Sequence, residues 1–172
     1  DLEHQMGAPV AGKTTRGGTA MAAAAPALLF DRPLLLYPVI LIDGRTLGAC
    51  PCRIRDNPLY ALASCHAERR FSGFRFASLR LRSTPRFMAK AVAKSAHSYV
   101  WGSEYLRSHS MSLLTAALRG GLSNALSYTR RPLRTSRSAQ LLAVEVVGSL
   151  EALPFDLRRN KALVLSLAAD LG

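Results

Sequence analysis

Residues 7–14 read Gly-Ala-Pro-Val-Ala-Gly-Lys-Thr, the G-x-x-x-x-G-K-[ST] spacing of a phosphate-binding loop. In such a loop backbone N–H groups wrap the phosphates, the lysine reaches the outer ones and the hydroxyl holds magnesium. Gly7, Gly12, Lys13 and Thr14 would carry those roles, and the Val-Ile-Leu-Ile-Asp run at 39–43 could imitate the strand and aspartate of the magnesium site. The context opposes the match. The residues ahead are polar where a buried strand is needed, and Arg16-Gly17-Gly18 follows where a helix must open. A Gly/Ala/Thr-rich leader is the better reading, and a nucleotide-binding protein is the third option for function.

Cys50, Cys52, Cys65 and His66 form C-x-C with a later Cys-His pair, four ligands soft enough for zinc. The spacing fits no familiar finger, and three cysteines cannot all pair. Unlinked thiols in a reducing compartment are expected, with no metal and no cofactor. His109 lies among serines without an acid or nucleophile partner in sequence. No Ser-His-Asp set, Cys-His pair with an orienting group or separable carboxylate pair can be assembled. These residues point to a binding protein, not an enzyme.

The elements that would position them are mainly helical. Aromatic content is only 7% and much of the apolar content is alanine and leucine, which favours helix over sheet. The net charge is +12 and unevenly spread: residues 1–139 carry 20 Lys/Arg and 7 Asp/Glu, residues 140–172 carry 3 and 4. A basic arm followed by a near-neutral docking element fits that asymmetry. Residues 1–97 are expected to be a low-complexity, loosely ordered basic region. Within it the apolar stretch 20–42 is broken by Pro26, Pro33, Pro38 and the Asp31-Arg32 pair, so it is no membrane span. Residues 34–36 and 39–42 read as two short strands. Residues 69–88 alternate apolar and basic, which suits a strand with one basic face, nucleic-acid binding or an organellar targeting peptide.

Residues 98–131 are expected to form short helices. Trp101, Tyr105, Met111, Leu114 and Leu118 share a face if residues 98–118 are one helix, ended by Gly120-Gly121. Residues 122–128 form a second piece, and residues 132–138 read as a linker. The segment 139–172 then makes a helical hairpin or coiled-coil start. Leu142, Val146 and Leu150 line its first helix. Leu153, Leu157, Val164, Leu167 and Leu171 form an apolar seam with Asn160 in it.

The run Leu153-Pro154-Phe155-Asp156-Leu157-Arg158-Arg159-Asn160, with Leu163 and Leu167 beyond it, resembles the opening of the inhibitor-of-growth (ING) family of chromatin proteins. Val146, Ser149, Leu150 and Glu151 fit that family's preceding helix. Arg158, Leu165 and Ala168 depart from its pattern, and the likeness covers only about residues 140–172. The zinc-binding PHD finger of the family is absent, and both ends of the chain look cut. The resemblance implies a nuclear adaptor that homodimerises through helices and docks on histones or on histone acetyltransferase or deacetylase complexes. Leu153, Leu157, Val164, Leu167 and Leu171 would supply the seam, and Arg158, Arg159 and Asn160 the polar contacts and register. The alternative is a small basic subunit of an organellar or ribosomal assembly, with mitochondrial location, built around residues 69–137. Nucleic acid is a possible partner of the basic region in either case.

Overall fold

A computed structural model of the chain describes residues 32–65 and 73–171. It is helical, with no strand among the described residues. The phosphate-loop residues Gly7, Gly12, Lys13 and Thr14, the residues 20–31 and His66 lie outside them.

The helices are short because the sequence stops and restarts them with capping residues. The Ser78 and Ser103 hydroxyls accept from Leu81 N–H and Leu106 N–H. Asn57 and Asn160 accept from Leu59 N–H and Leu163 N–H, and Ser110 accepts from Leu113 N–H. Each bond satisfies a donor that a helix start otherwise leaves unpaired. Pro33, Pro58 and Pro85 sit in first turns, where a missing N–H costs nothing.

These caps recur with a period. A short helical element ends near an aliphatic-arginine pair, a cap follows, and a longer helix begins. The pairs are Ile54-Arg55, Leu81-Arg82, Leu106-Arg107, Leu133-Arg134 and Leu157-Arg158, at steps of 27, 25, 27 and 24 residues. The short elements are Cys52–Arg55, Leu79–Ser83, Glu104–His109, Leu133–Thr135 and Phe155–Arg158. The longer helices are Pro58–Ala63, Pro85–Lys94, Met111–Arg119, Arg137–Val147 and Lys161–Leu171, led by Pro33–Ile42. Each longer helix packs on the one before it, from Pro33–Ile42 through to Lys161–Leu171. Nearest-neighbour stacking of one structural unit is the architecture of an α-solenoid.

The packing follows the same register. Ile54, Leu81, Leu106 and Leu133 are buried, and Leu157 packs against the core from a half-buried position. Seven residues past the caps at 57, 84, 110 and 136 stand Ser64, Ala91, Ala117 and Ala143, all at 0% exposure. Small side chains there let neighbouring helices approach closely. Met88 and Leu114, also at 0%, fill the space beside them, each contributing about 1.5–3 kcal/mol by burial.

Backbone and arginine bonds stitch the units. Ser78 N–H donates to Arg55 O, Ser103 N–H to Arg82 O and Arg130 N–H to Arg107 O. Arg82 donates through Nε to Ala77 O (3.1 Å) and through Nη1 to Trp101 O (3.2 Å). Arg107 repeats this with Gly102 O (3.1 Å) and Tyr128 O (2.9 Å). Each guanidinium therefore ties the start of its own short helix to the end of the next connector.

The helical class agrees with the sequence, but several segments differ. Residues 33–65 and 73–97, expected to be loosely ordered, are helical and supply Leu36, Ile40, Phe74 and Met88 to the core. The expected strands at 34–36 and 39–42 are one helix, Pro33–Ile42. Leu36 and Ile40, four apart, share its buried side, so the helical period prevails over the apolar run. The strand reading of 69–88 gives way, over its described part, to Gly73–Phe76, Leu79–Ser83 and the start of Pro85–Lys94. Ser78 and Pro85 enforce helix starts there. The single helix at 98–118 is three pieces, because Ser103 and Ser110 each cap a new helix. Tyr105 is consequently 70% exposed while Leu114 and Leu118 are buried. The linker at 132–138 is the 3-10 turn Leu133–Thr135 plus the start of Arg137–Val147. The terminal hairpin is present: Arg137–Val147 packs on Lys161–Leu171, the first ending at Gly148 with φ 69°, a conformation glycine adopts without cost. No helix among the described residues is long and apolar enough to cross a membrane.

Candidate functional site

Two grooves open between short elements of successive units, and so lie on the short-helix side of the stack. The first, a cavity of about 290 Å³, lies between Cys52–Arg55 and the turn into Leu79–Ser83, and is lined by Cys52, Arg55, Arg75, Phe76, Ser78 and Arg82 among others. Three arginines face it and no carboxylate lines it. Asp56, next to Arg55 in the chain, is engaged elsewhere. Arg80 binds its carboxylate at 2.9–3.0 Å and the Ser78 hydroxyl donates to it as well. Arg80 first, then Ser78, hold the Asp56 carboxyl below the usual carboxylate range. Arg75 lies over the Phe76 ring at 4.5 Å, a cation–π contact that keeps the guanidinium at the groove. Burial draws Arg82 below the ordinary arginine value, since its charge is met only by the dipoles of two carbonyls.

The second groove, about 450 Å³, is lined by Glu104, Arg130, Arg131, Arg134, Asp156 and Leu157 among others. Here the charges partly cancel: Arg134 Nη2 lies 2.6 Å from Asp156 Oδ1. Two short helices of the stack also expose an aromatic ring. Tyr105 is 70% and Phe155 67% exposed. Tyr105 stacks on His109 at 4.7 Å, and Phe155 has Arg158 and Arg159 within 6 Å of its ring centre. His109 Nδ1 lies 3.0 Å from Tyr105 O, an intrahelical contact with no nucleophile in it.

The residues expected to grip a partner helix are divided by the fold. Leu153 (1%) and Leu167 (0%) are buried in the chain's own core, and Leu157 packs against it. Their helix-to-helix contact is made within the molecule, because Arg137–Val147 occupies the side a partner would need. Val164 is half-buried, Leu171 is 45% exposed, and Arg158, Arg159 and Asn160 are exposed. Asn160 is a helix cap, accepting from Leu163 N–H. The run that carries the family likeness is thus the fifth copy of the internal unit. Its Leu-Arg-Arg-Asn answers to Ile54-Arg55-Asp56-Asn57 of the first.

The first groove was missed in sequence because its arginines come from three elements, although the aliphatic-arginine pairs at regular steps were there to be counted. The cysteines do not converge either. Cys50 Sγ donates to Thr46 O and Cys65 Sγ to Ala61 O, and no group of three metal-binding side chains occurs among the described residues. Burial pushes the Cys50 thiol up to about 11 and raises Cys65 as well, whereas Cys52 is exposed. Alkylation at neutral pH should therefore mark Cys52 and spare Cys50 and Cys65, read by peptide mass spectrometry. The same shift makes Cys50's contribution to stability whole below its ordinary value of 9.0 and lost as pH rises toward 11.

No family model matches the chain, no curated protein matches it, and no solved structure matches it.

Proposed function

We propose that the chain is a binding scaffold whose short-helix side takes up single-stranded nucleic acid. The observation that carries this reading is the carboxylate-free groove of Arg55, Arg75 and Arg82; other short helices of the stack expose the Tyr105 and Phe155 rings. Arginine pairs with phosphate and exposed rings stack on bases; the combination serves an unpaired strand better than a duplex, whose bases are already stacked. An acidic protein would use the arginines but leave the rings without a role.

Of the earlier alternatives, a basic subunit of an organellar or ribosomal assembly is compatible with this chemistry. The chromatin-adaptor reading needs an apolar seam open to a partner, and two of its five seam residues, Leu153 and Leu167, are covered.

The test is fluorescence anisotropy with a labelled single-stranded oligonucleotide across a salt series. Binding should weaken with a log–log slope of about −0.7 for each phosphate neutralised. Tyr105→Ala and Phe155→Ala should each cost roughly 1–3 kcal/mol of affinity. Equal affinity for duplex and single strand, or ring variants that bind like the parent chain, would reject the reading. Recovery of acetyltransferase or deacetylase subunits with the tagged chain, undiminished in Tyr105→Ala, would favour the adaptor instead.

A further inference from the structure

Arg55 stands in the register of Arg82 and Arg107 but does not make their bonds. In those two units the Nε donates to the carbonyl just ahead of the short helix's first cap, Ala77 O or Gly102 O. Arg55 Nε is buried and has no hydrogen-bond partner. Its Nη2 points instead to Cys52 Sγ at 3.1 Å, and a thiol sulfur is a weak acceptor. A guanidinium N–H withdrawn from water without an acceptor is an uncompensated donor. Arg75 and Arg82 line the same groove with it, and the nearest carboxylate in sequence, Asp56, is held by Arg80 and Ser78.

We infer that the groove between the first two short helices is a phosphate seat, in which one phosphodiester of the bound strand lies between Arg55 and Arg75. That assignment to a strand rests on the nucleic-acid reading. The seat itself rests on the three guanidinium groups around one cavity, of which Arg55 has only a thiol sulfur as acceptor on Nη2 and none on Nε. Two phosphate oxygens suit the planar fork of an arginine better than any neutral ligand does. Arg82, also in the lining, adds charge while its own bonds hold the units together. The second groove, with Glu104 and Asp156 in its lining, lacks this uniform sign. The seat therefore fixes where along the stack a strand is anchored.

Cys52 lines the seat and reports on it. The experiment is the rate of Cys52 alkylation by iodoacetamide in the full chain at constant ionic strength, with inorganic phosphate or a single-stranded DNA oligonucleotide as probe. Both should slow Cys52 several-fold in the parent chain, and neither should in Arg55→Gln. Arg75→Gln should lose much of the protection, and it decides the matter if Arg55→Gln fails to fold by circular dichroism. Cys52 reacting at one rate with and without both probes overturns the seat, as does full protection in Arg55→Gln. Oligonucleotide binding by anisotropy with Cys52 unprotected sinks the seat and leaves the nucleic-acid reading standing. Phosphate protection in a chain that binds no oligonucleotide keeps the seat and sinks that reading.

Discussion

Gly73→Ala should destabilise the chain by roughly 3 kcal/mol, the upper end of what overpacking costs. Gly73 is buried where the Gly73–Phe76 turn crosses the Thr46–Ala49 element. A Cβ there would stand 1.9 Å from Gly44 O and 2.1 Å from Gly44 C. Both are backbone atoms, so no rotamer change relieves the clash and one connector must move off the other. The loss should also be local in a stack of units that touch only their neighbours. Hydrogen exchange would show it: protection should fall in Pro33–Ile42 and Thr46–Ala49 while Met111–Arg119 keeps most of its own. A urea midpoint equal to that of the parent chain would mean that the two connectors do not meet as described. Equal loss of protection everywhere would mean that the chain unfolds as one cooperative body, not unit by unit.

Arg107→Ala should cost about 3 kcal/mol as well, through hydrogen bonds and not charge pairing. Its guanidinium donates to Gly102 O and Tyr128 O, joining one unit to the next, and bonds from a charged donor contribute about 1.5–3 kcal/mol each. Water can replace part of this at the half-buried site, which keeps the total near the lower bound of two such bonds. Burial, with Arg130 adding to it, draws Arg107 below the ordinary arginine value although Tyr99 and Glu104 act the other way, and the bonds that hold the guanidinium run to two carbonyls. Arg107→Lys should therefore restore less than half of the loss in urea unfolding, since an ammonium cannot span two carbonyls set by a planar fork. Complete rescue by lysine would show that a positive charge alone suffices at this junction.

Much of the helix-forming chemistry is legible locally. Gly120-Gly121 ends a helix as its residue types require, and Pro58 and Pro85 sit where first turns accept them, but reading 98–118 as one helix and Asn160 as a seam residue passes over the caps at Ser103, Ser110 and Asn160. Residues 34–42 and 69–88 resemble strands by short-range pattern alone. An apolar run or an alternation of phenylalanine and arginine looks like a strand until the caps on either side are counted. The terminal leucines show the complementary error. Their spacing correctly marks a helix with an apolar stripe, but a stripe carries no label saying which helix covers it. Leu167 meets its own chain because four earlier units have the same shape and the fifth stacks on the fourth.

The sequence by itself determined the helical class, the end of a helix at Gly120-Gly121 and the basic charge, because each depends on composition or on neighbours a few residues away. Only the tertiary structure decided that the units stack in order, that Arg82 and Arg107 are spent on holding them together, and that Arg55, one register earlier, is not. The same residue type in the same local motif has two fates. The difference lies in which carbonyls the adjoining unit brings within about 3 Å, and that is a property of the stack, not of any one segment.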